Sequence, residues 1–151
     1  MNSTLYEQDY YLWLEQTAEL LAKGQWNKVD VINLVEEIQD MGRNEKRALK
    51  SNLTIVLFHL LKYSYQPDRR TRSWLLTIAE HRLRLKEQLK DSPSLQPYLE
   101  LVFEESYIDA IRLAEAETGL PRTTFPIESP FTLSQALDFD YLPEVENSDM
   151  T

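Results

Sequence analysis

The chain has no cysteine. Disulfides, zinc–thiolate sites, iron–sulfur clusters and cysteine nucleophiles are therefore excluded, and a reducing, cytoplasmic location is expected. Glycine is nearly as scarce, occurring only at 24, 42 and 119, which leaves too little turn chemistry for a β-architecture. No stretch approaches the roughly 18 uncharged apolar residues of a spanning helix, and the first eleven residues carry acids without a basic leader region. Neither membrane insertion nor secretion is expected. The two histidines belong to neither a His-Glu-x-x-His nor a Glu-x-x-His pattern, and a Gly-rich phosphate loop and a Gly-x-Ser-x-Gly elbow are both missing. An Arg separated by four to six residues from a following His, as in some helical ribonucleases, is missing too. No metal, cofactor or catalytic residue is assigned from the sequence.

What remains is rich in Leu, Glu, Gln, Lys and Arg, and 42% of its 151 residues are apolar. A chain of this length buries roughly 70% of its unfolded surface, enough for one helical-bundle domain over 1–143, followed by a frayed tail, 144–151. Thr4 and Glu7 form a capping-box signature for a first helix over 5–23 that ends at Gly24. Asp30 can cap a second helix, 31–65, whose apolar positions from Leu34, Val35, Ile38 and Met41 to Leu57, Leu60 and Leu61 keep one phase through Gly42. Gln66-Pro67 breaks it. A third helix follows over 73–90, with Ser73 as its cap, and a fourth over 94–118, stopped by Gly119 and Pro121. Beyond Arg122, prolines alternate with Phe125, Ile127, Phe131, Phe139 and Tyr141, and Thr132 with Gln135 can cap a short helix at 133–138. The expected fold is all-α, an antiparallel bundle of four main helices with the C-terminal segment extended over it.

Several residue groups carry a resemblance. They are Tyr10 and Trp13, Asn33-Leu34-Val35-Glu36-Glu37-Ile38, Met41-Gly42-Arg43, His59-Leu60-Leu61-Lys62, Gln66-Pro67, Ser73-Trp74, Thr77-Ile78, Ser92-Pro93-Ser94-Leu95, Glu117-Thr118-Gly119-Leu120 and Phe125-Pro126. In order and spacing the chain resembles Domain of Unknown Function family 29, a bacterial family abundant in cyanobacteria, over nearly its whole length. The family pattern often has a Cys where this chain has Ser129 before Pro130, so no cysteine chemistry is essential here. The resemblance implies an all-helical fold and no agreed activity.

Charge is unevenly distributed. The stretch from Arg43 to Lys90 carries a net charge of +8 and the remainder −17, which the total of −9 conceals. One reading is an anion-attracting face, with Arg69, Arg70 and Arg72 near the start of the third helix, offering a nucleic-acid partner. The other, favoured because the whole protein is acidic, is neutralisation of the basic segment by acidic helices beside it.

Polar residues interrupt the apolar seams. Glu45, Asn52, His59 and Gln66 recur every seven residues, Glu36 and Glu37 border the same seam, and Arg82 falls in phase with Leu75, Ile78, Ala79, Leu85 and Leu89. If the second and third helices pair antiparallel, His59 and Arg82 come level with each other, with a carboxylate from Glu45, Asp9 or the fourth helix completing the group. Two readings stay open. One is a pocket of His59, Gln66, Arg70, Trp74 and Arg82 for a small anion, and the other a structural network of Glu37, Glu45, Asn52, His59 and Arg82 that sets helix register. Trp74, Tyr63 and Tyr65, like Trp13 and Trp26, read first as core or bundle-end aromatics. The favoured function is a non-catalytic binding or protein-interaction module, with a protein partner or a homodimer. A small-anion binder or enzyme is the alternative, and a nucleic-acid accessory protein the weaker one.

Overall fold

A computed structural model describes residues 4–143. The tail at 144–151 lies outside them. The described residues contain helices and no strand, so the fold is all-α. The domain expected over 1–143 falls into two compact units divided between Glu45 and Lys46.

In the first unit, Thr4 caps a single turn, α1 (Leu5–Gln8), by accepting from the Glu7 amide. The continuous helix expected over 5–23 is interrupted at Asp9. There the backbone is extended, and the side chain caps α2 (Tyr10–Ala22) by accepting from the Leu12 amide at 3.0 Å. An Asp that competes for the next amide breaks a helix whose apolar spacing would otherwise continue. Gly24, with φ +69°, closes α2 in a Schellman motif: its amide donates to Leu21 O at 3.1 Å and the Gln25 amide to Leu20 O at 2.9 Å. A short 3₁₀ turn, Trp26–Lys28, leads to Asp30, whose carboxylate accepts from the Asn33 amide at 3.3 Å. That amide belongs to the first turn of α3 (Val31–Tyr65), a helix about 50 Å long.

The second unit is built on the later part of α3, with α4 (Arg72–Asp91), α5 (Gln96–Thr118) and the short α6 (Leu133–Leu137). Contacts fix the directions. Lys62 of α3 meets Trp74 and Asn52 meets His81 and Gln88, so α4 runs antiparallel to α3. Lys46, Lys50 and Lys62 meet Tyr98, Glu105 and Glu117 in that order, so α5 runs parallel to α3. Leu49, Leu53, Leu57, Leu60 and Leu61 are fully buried and pack with Ile78, Leu85, Leu99, Ala110 and Ile111. Thr71, rather than Ser73, caps α4 by accepting from the Trp74 amide.

Gly119, at φ +71°, ends α5 and turns the chain back. Phe125 then enters the core edge-on to Tyr65, their centroids 5.5 Å apart, and the Tyr107 hydroxyl donates to Pro126 O at 2.5 Å. Phe131 is buried as well. Thr132 and Gln135 form the expected capping box on α6. The C-terminal segment is therefore part of this unit's core.

Candidate functional site

The antiparallel α3–α4 pair does bring polar groups together, though not the expected set. Asn52 accepts from His81 Nδ1–H at 2.8 Å and donates from its amide nitrogen to Gln88 Oε1 at 3.3 Å. His81 and Gln88 were not singled out by the sequence, where the only signal was their place on the α4 face opposite Asn52. Burial lowers the His81 pKa from its usual 6.5. The neighbouring Arg84 charge lowers it further, and Glu80 opposes both.

His59 and Arg82 do not form the expected pair. His59 Nδ1–H donates to Ile55 O, one turn back on its own helix, at 3.0 Å. Its pKa is lowered chiefly by burial, against the raising effect of that bond, with the Lys62 charge adding to the lowering. Arg82 is buried and reaches the tail. Its Nε donates to Ala136 O at 2.9 Å and its Nη2 to Gln135 O at 3.1 Å. Among the described residues no carboxylate lies within ion-pair distance of it. The guanidinium sits at the C-terminal end of α6, where a cation is electrostatically favoured; it supplies the donor for Ala136 O and shares Gln135 O with the Asp138 amide, which donates to it at 3.2 Å. Burial depresses its pKa, and Asp138 and Tyr141 oppose that. The carboxylate expected from the sequence is replaced by main chain, because what packs on α4 at this level is the tail.

The other residues of the expected pocket are also placed. Arg70 donates from Nε and Nη2 to Tyr63 O at 2.8 and 2.6 Å and stacks 3.8 Å from the Tyr63 ring, closing the end of α3. The Gln66 amide donates to Lys62 O at 2.8 Å, and Gln66 O accepts from the Arg69 amide at 3.0 Å. Trp74 faces Lys62, to which the sequence reading gave no site role. Lys62 is only 3% exposed, with Nζ 4.5 Å from the Trp74 ring, 4.6 Å from the Phe58 ring and 3.0 Å from Glu117 Oε2. One ammonium thus ties α3, α4 and α5 together.

Glu45 is exposed and lies in the first unit. Glu37, also in that unit, accepts from Tyr6 Oη at 2.7 Å and from the Tyr10 hydroxyl. That bond, followed by burial and the Glu37, Glu36 and Asp40 charges, pushes the Tyr6 pKa up to about 12. Trp13 lies edge-on to Tyr6 at 4.7 Å and stacked with Tyr10 at 6.2 Å. It is buried with its indole N–H unpartnered among the described residues. Of the expected network, Glu37, Asn52, His59 and Arg82 thus belong to four separate arrangements.

The outer face of α3 in the first unit differs from all of these. Val31, Ile32, Val35, Ile38 and Met41 are 48–82% exposed. Val35, Ile38 and Met41 belong to the periodicity that the sequence assigned to a buried seam, and the structure corrects that assignment. Val31, Val35 and Ile38 share one helix face, with Ile32 and Met41 on its two flanks, and together they make a patch that monomers seldom leave open. Trp26, expected in the core or at a bundle end, is 65% exposed.

The model of a family described as a domain of unknown function, DUF29, matches residues 5–142. No curated protein and no solved structure matches the chain. No helix among the described residues is long and apolar enough to cross a membrane.

Proposed function

We propose that the chain, which belongs to the DUF29 family, is a non-catalytic protein-interaction module that works through the outer face of α3 in its first unit. The observation that carries this reading is the open row Val31, Ile32, Val35, Ile38 and Met41. Full burial of a side chain of this size is worth about 1.5–3 kcal/mol, and at 48–82% exposure each of these forgoes roughly half or more of that, a cost that binding a partner would recover. The second unit supports the same reading from the other side. The arginines expected to receive an anion, Arg70 and Arg82, are engaged by main-chain carbonyls. Lys50 and Lys62 of the basic segment are paired with Glu105, Asp109 and Glu117 of α5. This favours internal neutralisation over nucleic-acid binding.

The test is photo-cross-linking in the organism that encodes the chain, with a benzophenone residue placed at Val35 and, as control, at Leu101, an exposed leucine of α5. The expected result is a discrete adduct from position 35 that is absent from position 101. No adduct at 35, or identical adducts at both positions, would contradict the reading.

A further inference from the structure

The geometry points to a second copy of this chain as the occupant of the α3 face, paired antiparallel about a two-fold axis near Ile38. The inference rests on the reading of that face as an interaction face, and it names the partner.

Val31, Val35, Ile38 and Gly42 follow one another at intervals of four, three and four residues, the spacing at which one helix presents a seam to another. Gly42 is the informative member. It lies inside a 35-residue helix and is not among the glycines with positive φ. A Cβ built on it would meet nothing within 4 Å. Neither backbone conformation nor crowding within the chain therefore calls for glycine, which weakens a helix relative to alanine. A notch facing open space, in line with three β-branched residues, suits a second helix crossing close at that point.

The seam complements itself. In an antiparallel pair centred near Ile38, Val35 of one copy fills the Gly42 notch of the other, the reverse contact forms at the same time, and the two Ile38 side chains meet on the axis. Glu36 and Arg43 lie on one edge of this face, seven residues apart and opposite in charge. The same rotation sets each beside its counterpart on the other copy. Among the described residues Arg43 is paired with Asp40, in an exposed pair three residues away along the helix, which is a weak competitor. The five aliphatic side chains offer on the order of 500 Å² per copy, near the lower end for specific interfaces, so association in the micromolar range is expected.

Sedimentation equilibrium of the full chain between about 1 and 500 µM tests the proposal. The mass should climb from 17.8 kDa toward twice that value. Ile38→Lys should remain monomeric throughout, and Gly42→Leu should weaken association roughly tenfold or more without lowering its melting temperature. Glu36→Arg and Arg43→Glu should each weaken the dimer, and the double variant should recover it, because the swapped pairs are again opposite in sign. A wild-type chain that stays at 17.8 kDa overturns the proposal, as does a dimer that survives both Ile38→Lys and Gly42→Leu. If the chain is monomeric while position 35 still yields an adduct heavier or lighter than a doubled chain, the second copy is wrong and the interaction face stands. With no adduct at all, both fail.

Discussion

Two stretches of the same helix carry the same kind of residue to opposite ends. Leu53, Leu57 and Leu60 in the second unit are fully buried, while Val35, Ile38 and Met41 in the first are about half exposed or more. Their apolarity and helical phase are alike. What differs is the cover: α4, α5 and the C-terminal segment close over the second unit's stretch, whereas the outer face of the first unit remains open. A periodic apolar stripe thus specifies which way a helix faces and leaves open whether its own chain or another covers it.

The contrast can be broken at several strengths. The largest effect is expected in the closed core, where Leu57→Ala should cost about 2–5 kcal/mol through lost burial and the cavity left behind, measured by urea unfolding. Arg82→Met comes next. It leaves Ala136 O without its donor, at about 1–3 kcal/mol, while Gln135 O keeps the Asp138 amide, and hydrogen exchange should show the α6 amides opening before those of α3. A uniform loss of protection would mean that Arg82 does more than hold the tail.

A smaller and asymmetric effect is expected at Lys62. Its partner Glu117 is 54% exposed and stays solvated when the lysine is removed, so Lys62→Met should cost no more than about 1 kcal/mol. Glu117→Gln instead leaves a buried ammonium without its countercharge and should cost more. The reverse order in the melting temperatures would contradict this account of the clamp.

The smallest effect concerns pH. Both histidines titrate below their usual 6.5 in the folded chain, mainly because burial disfavours the imidazolium. The unfolded chain therefore takes up protons first. Stability is unaffected above about pH 7 and falls as the pH drops through 6.5 toward the lowered folded values. His59→Gln with His81→Gln should flatten that decline relative to wild type in unfolding curves taken between about pH 7.5 and 5. An unchanged slope would remove the histidines from the explanation.

Much of this architecture was legible beforehand. The bounds of α3 at Val31 and Tyr65, the Gly119 stop and the Thr132–Gln135 capping box all follow from local chemistry, and local chemistry is what a sequence displays. The break at Asp9 was harder to see, since an Asp in an amphipathic run reads as solvent-facing until its side chain is found capping Leu12. Arg82 was recognised as a charge on an apolar face, and it is indeed buried. Its partners could not be foreseen, because Ala136 O and Gln135 O lie more than fifty residues away and a backbone carbonyl has no sequence signature. The Asn52–His81–Gln88 group was half visible for a related reason. The seven-residue stripe marked Asn52, but only the register of α4 against α3 selects His81 as its donor.

The most direct test sets the open face against the closed core within one experiment. Ile38→Lys and Leu57→Lys, both unfolded in urea at a concentration low enough to keep the chain monomeric, place the same charge on the same helix nineteen residues apart. The account predicts that Ile38→Lys changes the unfolding free energy by no more than about 0.5 kcal/mol, while Leu57→Lys abolishes cooperative folding. A comparable loss from Ile38→Lys would show that its own chain covers this face and that no partner is needed.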